Sequence, residues 1–204
     1  RQDGGENFLI SPDGKYLSML RKVEGSPQIF IMPLDGGEAR PLTEHRGEIT
    51  HYKWTGDAQS IVFVAKKAMT EEEAKEFALG ADPIFVNEGA DGKNHGRWTH
   101  LWHLDITSKE LVRISGEDFL IGGFDASSDG SRVVFTARRD NRGNFPFLSE
   151  LYVVQADGKD MQQLTHNRAL ESDPVWAPDG SRFVFHASDD KEMELSNGYL
   201  WILD

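Results

Sequence analysis

The sequence predicts an all-β fold: a β-propeller in which about four four-stranded antiparallel blades are visible and which forms part of a larger propeller. Three observations predict it. A turn phrase occurs four times in 204 residues, as Ser11-Pro12-Asp13-Gly14 and Ala177-Pro178-Asp179-Gly180 and, in worn form, as Thr55-Gly56-Asp57-Ala58 and Ser127-Ser128-Asp129-Gly130. Each copy lies between two apolar, β-rich runs. The strands that follow return in one fixed order, and four antiparallel strands per repeat of about 40 to 50 residues is the mark of propeller blades.

The turn phrase is a hairpin. Proline presets φ at the first central position, aspartate tolerates the next, and glycine takes the φ > 0 position that strains other residues. The second strands follow it as Tyr16-Leu17-Ser18-Met19-Leu20, Ser60-Ile61-Val62-Phe63-Val64, Arg132-Val133-Val134-Phe135-Thr136 and Arg182-Phe183-Val184-Phe185-His186. The third strands are Gln28-Ile29-Phe30-Ile31-Met32, His100-Leu101-Trp102-His103-Leu104, Glu150-Leu151-Tyr152-Val153-Val154 and Tyr199-Leu200-Trp201-Ile202-Leu203, rich in residues that suit a pleated surface. Tight turns at Asp35-Gly36-Gly37, Thr107-Ser108-Lys109 and Asp157-Gly158-Lys159 lead to short fourth strands, Arg40-Pro41-Leu42-Thr43, Leu111-Val112-Arg113-Ile114-Ser115 and Gln163-Leu164-Thr165. Blades are expected at approximately residues 7–45, 48–116, 118–167 and 170–204, with a helical or loop insertion at 67–99. A sandwich would not explain the fixed order.

The core should lie between blades. Leu17, Ile61, Val133 and Phe183, with Met19, Phe63, Phe135 and Phe185, recur at one register and are expected to form the apolar layers. Trp54 and Trp176 precede the turn phrase and read as packing residues rather than a ligand cage. The last blade lacks a fourth strand after Asp204, and the first has only Arg1 to Glu6 ahead of Asn7-Phe8-Leu9-Ile10. An open stack exposes apolar faces and strand edges, so the isolated chain is expected to self-associate through its open edge.

Composition narrows the function. With 34 acidic against 22 basic residues, the formal charge of −12 repels a phosphate backbone, and no nucleic-acid partner is expected. No apolar run reaches the length of a membrane span. The absence of cysteine excludes disulfides, thiolate metal sites and a cysteine nucleophile, and leaves both the cytosol and the bacterial periplasm open. No cofactor is expected. His100 and His103, three apart in a strand, point to opposite faces, and with His95 they make no recognisable ligand set, so no metal is expected either.

Spacing shows where the repeats are elaborated. The turn phrase falls at positions 12, 56, 128 and 178, so successive repeats are 44, 72 and 50 residues apart. The excess lies between second and third strands: Lys67 to Thr99 in the second blade, Arg138 to Ser149 in the third and Ser188 to Gly198 in the fourth. Alternate connections of an antiparallel blade emerge on opposite edges, so all three insertions share one face of the disc, the expected working surface. Within the first, Thr70 to Gly80 has a helix-like start, with Glu73 placed for a capping box.

The turn phrase, the insertion wording Ala81-Asp82-Pro83-Ile84-Phe85-Val86-Asn87-Glu88-Gly89 and the segment Arg97-Trp98-Thr99-His100-Leu101-Trp102 resemble the propeller of prolyl-oligopeptidase-family serine peptidases, in particular the acylaminoacyl-peptidase and dipeptidyl-peptidase branches. The Ser-Pro-Asp-Gly turn also resembles TolB-like propellers. The peptidase resemblance implies a non-catalytic domain that caps an α/β-hydrolase domain of the same parent chain and restricts entry to peptide substrates. The TolB-like alternative implies a periplasmic propeller that binds protein partners without chemistry. The chain has no Gly-x-Ser-x-Gly, so the nucleophile elbow of a hydrolase is absent and no catalytic residue is expected within it. Candidate contacts to substrate or partner are Glu71, Glu72 and Glu73, which the dipeptidyl-peptidase resemblance would set against a peptide amino terminus, together with Arg97, Arg138 and Arg139. A solvated helix start and a surface ion-pair group are the plainer readings of the glutamates and of Arg138-Arg139-Asp140.

Overall fold

In the computed structural model, residues 4–79, 98–140, 148–167, 169–188 and 197–204 are described. They form a partial β-propeller. The first sheet is β1 (Glu6–Ile10), β2 (Tyr16–Val23), β3 (Ser26–Pro33) and β4 (Arg40–Pro41); the second is β5 (Ile49–Trp54), β6 (Ser60–Lys66), β7 (Thr99–Asp105) and β8 (Leu111–Arg113). The third is β9 (Leu120–Ala126), β10 (Arg132–Arg138), β11 (Glu150–Gln155) and β12 (Gln162–Gln163). The fourth has three strands among the described residues: β13 (Glu171–Trp176), β14 (Phe183–Ser188) and β15 (Gly198–Leu203). Every strand pairs antiparallel with its sequence neighbour in the sheet.

The turn phrase forms the hairpins for the reason its residues suggest. Gly14, Gly130 and Gly180 stand at φ 73°, 70° and 67°, and Ala58 takes the same left-handed position at 59°. The phrase also caps itself. The hydroxyls of Ser11, Thr55 and Ser127 each donate to the aspartate two residues on at 2.6 Å. The same oxygens accept the amides of Tyr16, Ser60 and Arg132, where the second strand begins. Such bonds to the ionised carboxylate hold Asp13 and Asp129 down to pKa values of about 2, with the serine hydroxyl as the leading cause. Gly56 replaces the proline in the second blade because the next blade comes too close. A Cβ there would lie 2.6 Å from the Ser128 carbonyl oxygen in the neighbouring turn.

Three apolar layers hold the blades together, one at each junction. Leu20, Ile29 and Ile31 of blade 1 meet Ile61, Phe63 and Ala65 of blade 2. Val62, Val64 and Leu101 meet Val133, Phe135 and Ala137 of blade 3. Val134 and Leu151 meet Phe183 and Phe185 of blade 4. The register expected to face the core thus faces the preceding blade. This corrects the expectation for blade 1: Leu17 and Met19 share that register but join none of the three layers, Leu17 being half-buried and Met19 buried apart from them. Trp54 bridges blades as expected, its Nε1 donating to Ser18 Oγ at 2.8 Å. Trp176 packs edge-on against Phe183 at 5.3 Å, with the Arg132 guanidinium 4.6 Å over its ring.

The first strands contact one another from blade to blade and line the axis of the stack. Each carries a register shift against its second strand, a bulge that sharpens local twist. Asp125 on β9 ties three blades at this level, accepting from Lys53 Nζ of blade 2 at 3.0 Å and from the Trp176 amide of blade 4 at 2.9 Å.

Candidate functional face

Strand direction places two kinds of connection on one face of the disc: those between second and third strands, and the linkers from one blade to the next. The turn phrases and the turns between third and fourth strands occupy the opposite face. The first face is the elaborated one. Blade 1 joins β2 to β3 through Glu24 and Gly25 alone, whereas the second-to-third connections of blades 2, 3 and 4 run from Lys66 to Thr99, Arg138 to Glu150 and Ser188 to Gly198.

The second-blade connection contains α1 (Glu71–Leu79). Its start is a capping box, with the Thr70 amide donating to Glu73 Oε2 at 2.7 Å and the Glu73 amide to Thr70 Oγ1 at 3.2 Å. These bonds, the Thr70 backbone amide first, hold the Glu73 carboxyl below its ordinary range. Glu73 is therefore committed to the helix start, while Glu71 and Glu72 lie beside it in the first turn and are exposed. Arg97, His95, Gly80 and the segment Ala81 to Gly89 lie outside the described residues.

Arg138 ends β10 and Arg139 follows it. Arg139 forms a forked pair with Glu117 of the preceding linker, at 3.0 Å from Nε and 3.4 Å from Nη2, with its guanidinium over the edges of Phe119 and Tyr152. Arg138 is half-buried, and desolvation lowers its pKa. Glu73 and Arg139 thus belong to separate groups, the helix start and the pair with Glu117. Along the same face run the pairs Lys66–Glu48 at 2.7 Å and Lys67–Asp118 at 2.9 Å, with His100 Nε2 2.8 Å from Asp118. Burial is the main cause that lowers the His100 pKa, against the pull of Asp118. These exposed ion pairs are worth roughly 0 to 1 kcal/mol each.

A carboxylate pair escaped sequence reasoning. Glu171 starts β13 at the register where β5 has Ile49 and β9 has Ile121, and it is 2% exposed. Its carboxyl accepts from Thr165 Oγ1 at 2.6 Å and Asn167 Nδ2 at 2.8 Å. Glu150 accepts the Asn167 amide at 3.0 Å, and its other oxygen is buried without a hydrogen-bond partner. Burial, and secondarily the Glu150 charge, push the Glu171 carboxyl up from its ordinary 4.5. The signal in the sequence was a glutamate where the repeat asks for an aliphatic residue. The folded state holds this proton more tightly than the unfolded chain. Stability present below pH 4.5 is therefore lost as pH rises through the raised value, at about 1.4 kcal/mol for each pH unit that separates the folded from the unfolded titration. Glu171→Gln is expected to flatten the decline in unfolding temperature between pH 5 and 8; an unchanged slope would show that another group sets it.

No family model matches the sequence. The chain is 25% identical over 179 residues to an uncharacterized peptidase, YuxL, of Bacillus subtilis (strain 168), an alignment that covers 87% of this chain and 21% of that protein. Among solved structures it is similar to the acylaminoacyl peptidase of Pyrococcus horikoshii, with a TM-score of 0.71 at 19% identity over 98% of this chain and 30% of that one. It is also similar to a putative TolB from Agrobacterium tumefaciens, with a TM-score of 0.61 at 20% identity over 96% of this chain and 59% of that one. The chain thus spans about a fifth of the matched peptidase's length and 59% of the TolB chain. It is a partial β-propeller that resembles both the acylaminoacyl-peptidase propeller and TolB.

Proposed function

We propose that this chain is the non-catalytic propeller of a serine peptidase, capping an α/β-hydrolase domain of the same parent and gating entry of peptides to its active site. The observation that carries the proposal is the concentration of long second-to-third connections on one face of an otherwise regular stack. A rigid scaffold with one elaborated face suits a domain that meets a partner domain there and sorts what passes. Similarity to a peptidase over 87% of the chain supports the same reading. In this reading Glu71 and Glu72, exposed on α1, and Arg138 at the end of β10, together with Arg97, are the side chains offered toward peptide or hydrolase domain, with Arg139 beside them held by Glu117. The TolB-like alternative, a partner-binding propeller without enzymatic activity, draws on the structural similarity to TolB.

Because these 204 residues contain no cysteine, a cysteine introduced here is unique within the propeller. Glu44→Cys and Glu72→Cys put a cross-linker on the elaborated face of the parent protein, and Lys15→Cys and Lys159→Cys put it on the turn face. Cross-links to a hydrolase domain are expected from the first pair and not the second. Links from the turn face alone would reverse the orientation, and links from the elaborated face to a separate polypeptide would favour the TolB-like reading.

A further inference from the structure

The turn between third and fourth strands is closed on itself in blades 2 and 3 and left open in blade 1. In blade 2 the Lys109 amide donates to the Asp105 carbonyl at 3.0 Å, and Asp105 Oδ1 accepts the Thr107 and Ser108 amides at 2.8 and 2.7 Å. In blade 3 the Gly158 amide donates to the Gln155 carbonyl at 2.8 Å, and Asp157 Oδ1 accepts the Lys159 amide at 3.0 Å. In blade 1 the turn runs through Gly36 and Gly37, both at φ 125°, and the amides of Gly37 and Glu38 find no acceptor among the described residues. Glycine leaves that backbone open to close approach, and unbonded amides along it suit an anion.

Gly37 and Glu38 border a cavity of about 550 Å³ that Tyr16, Leu34 and Arg40 also line. Tyr16 packs into the apolar layer shared with blade 2, so the cavity lies where two described blades meet. Arg40 makes no ion pair among the described residues, and neither does Lys109 of blade 2. Burial, and then the Arg40 charge, lower the Lys109 pKa. Two unpaired cations thus repel one another in a chain of formal charge −12, a repulsion that an anion between them would relieve. Lys15, also at the cavity, is already paired with Asp13 at 3.0 Å. We propose that this cavity binds a phosphate-class oxyanion bearing an aromatic group, the oxyanion held by Arg40, Lys109 and the amides of Gly37 and Glu38, and the ring lying against Tyr16 and Leu34. Two cations match a phosphate dianion better than a carboxylate. Asp35 and the Glu38 carboxylate, both exposed at the cavity, work against the anion and hold its affinity down. The cavity belongs to the turn face, so the inference does not depend on the peptidase reading.

The test titrates the isotope-labelled chain with phenyl phosphate, inorganic phosphate and benzoate at constant ionic strength, following backbone amide resonances. Phenyl phosphate should saturate at millimolar concentration and shift the Gly37 and Glu38 amides, and it should bind more tightly than either inorganic phosphate or benzoate. Arg40→Gln and Lys109→Gln, both at exposed side chains, should each weaken it about tenfold, the value of a charge-assisted hydrogen bond. Glu38→Gln should tighten it, and Lys159→Gln in the closed turn of blade 3 should leave it unchanged. Absence of saturation, shifts no larger than those given by chloride, equal binding of benzoate, or binding by Arg40→Gln equal to that of the original chain would each overturn the proposal.

Discussion

Replacing Phe135 by alanine is expected to destabilise the chain by about 3 to 5 kcal/mol, the range for emptying a fully buried aromatic site. Phe135 is 0% exposed. Its ring stacks on Tyr152 at 5.4 Å and meets Phe119 edge-on at 6.1 Å, and the cluster continues into Val62, Val64 and Leu101 of the preceding blade. Phe119 comes from the linker between blades 2 and 3, so the cavity would open where sheet, neighbour sheet and linker converge. Little there can collapse to refill it. For a domain of this size the loss corresponds to a fall of roughly 10 °C in unfolding temperature, readable by circular dichroism or calorimetry. A loss below about 1 kcal/mol would show that the blade junction relaxes freely and that the layers between blades are not what holds the stack.

The hairpins were legible in the sequence because their determinants are local. The Ser-x-Asp-Gly phrase carries its own caps, and Gly14, Gly130 and Gly180 sit at positive φ as the turn chemistry requires. The helix start at Thr70 was legible for the same reason, since both halves of its capping box lie within four residues. Relations between blades were not. Arg139 finds Glu117 22 residues earlier, and Asp125 joins Lys53 to Trp176 across three blades, and neither spacing follows from the repeat. Leu17 and Met19 share the core register of the repeat yet join none of the three layers between blades, although Met19 is buried. The residues after each fourth strand were read as strand alone, although Thr43, Ser115 and Thr165 act through their hydroxyls.

The candidate site was legible as a face and not as a set of residues. Counting residues between turn phrases located the long connections, and antiparallel geometry put them together. Which side chains there are committed to structure required coordinates: Glu73 belongs to its helix cap and Arg139 to Glu117, whereas Glu71 and Glu72 stay exposed.

The largest functional effect should come from removing the second-blade connection from the full-length parent. Deleting residues 70–96 leaves β6 and β7 intact, and their pairing from Ser60↔Asp105 to Lys66↔Thr99 involves none of the deleted residues. The blades should therefore fold, with unfolding temperature within a few degrees of the parent. If the elaborated face gates the active site, the sorting of peptides should change even though no catalytic group has been touched. Cleavage of a length series of peptides by the parent and the deletion variant, with thermal unfolding of both, measures this directly. The gating account predicts that the variant gains on longer peptides relative to short ones at unchanged stability; an unchanged length preference at unchanged stability would contradict it.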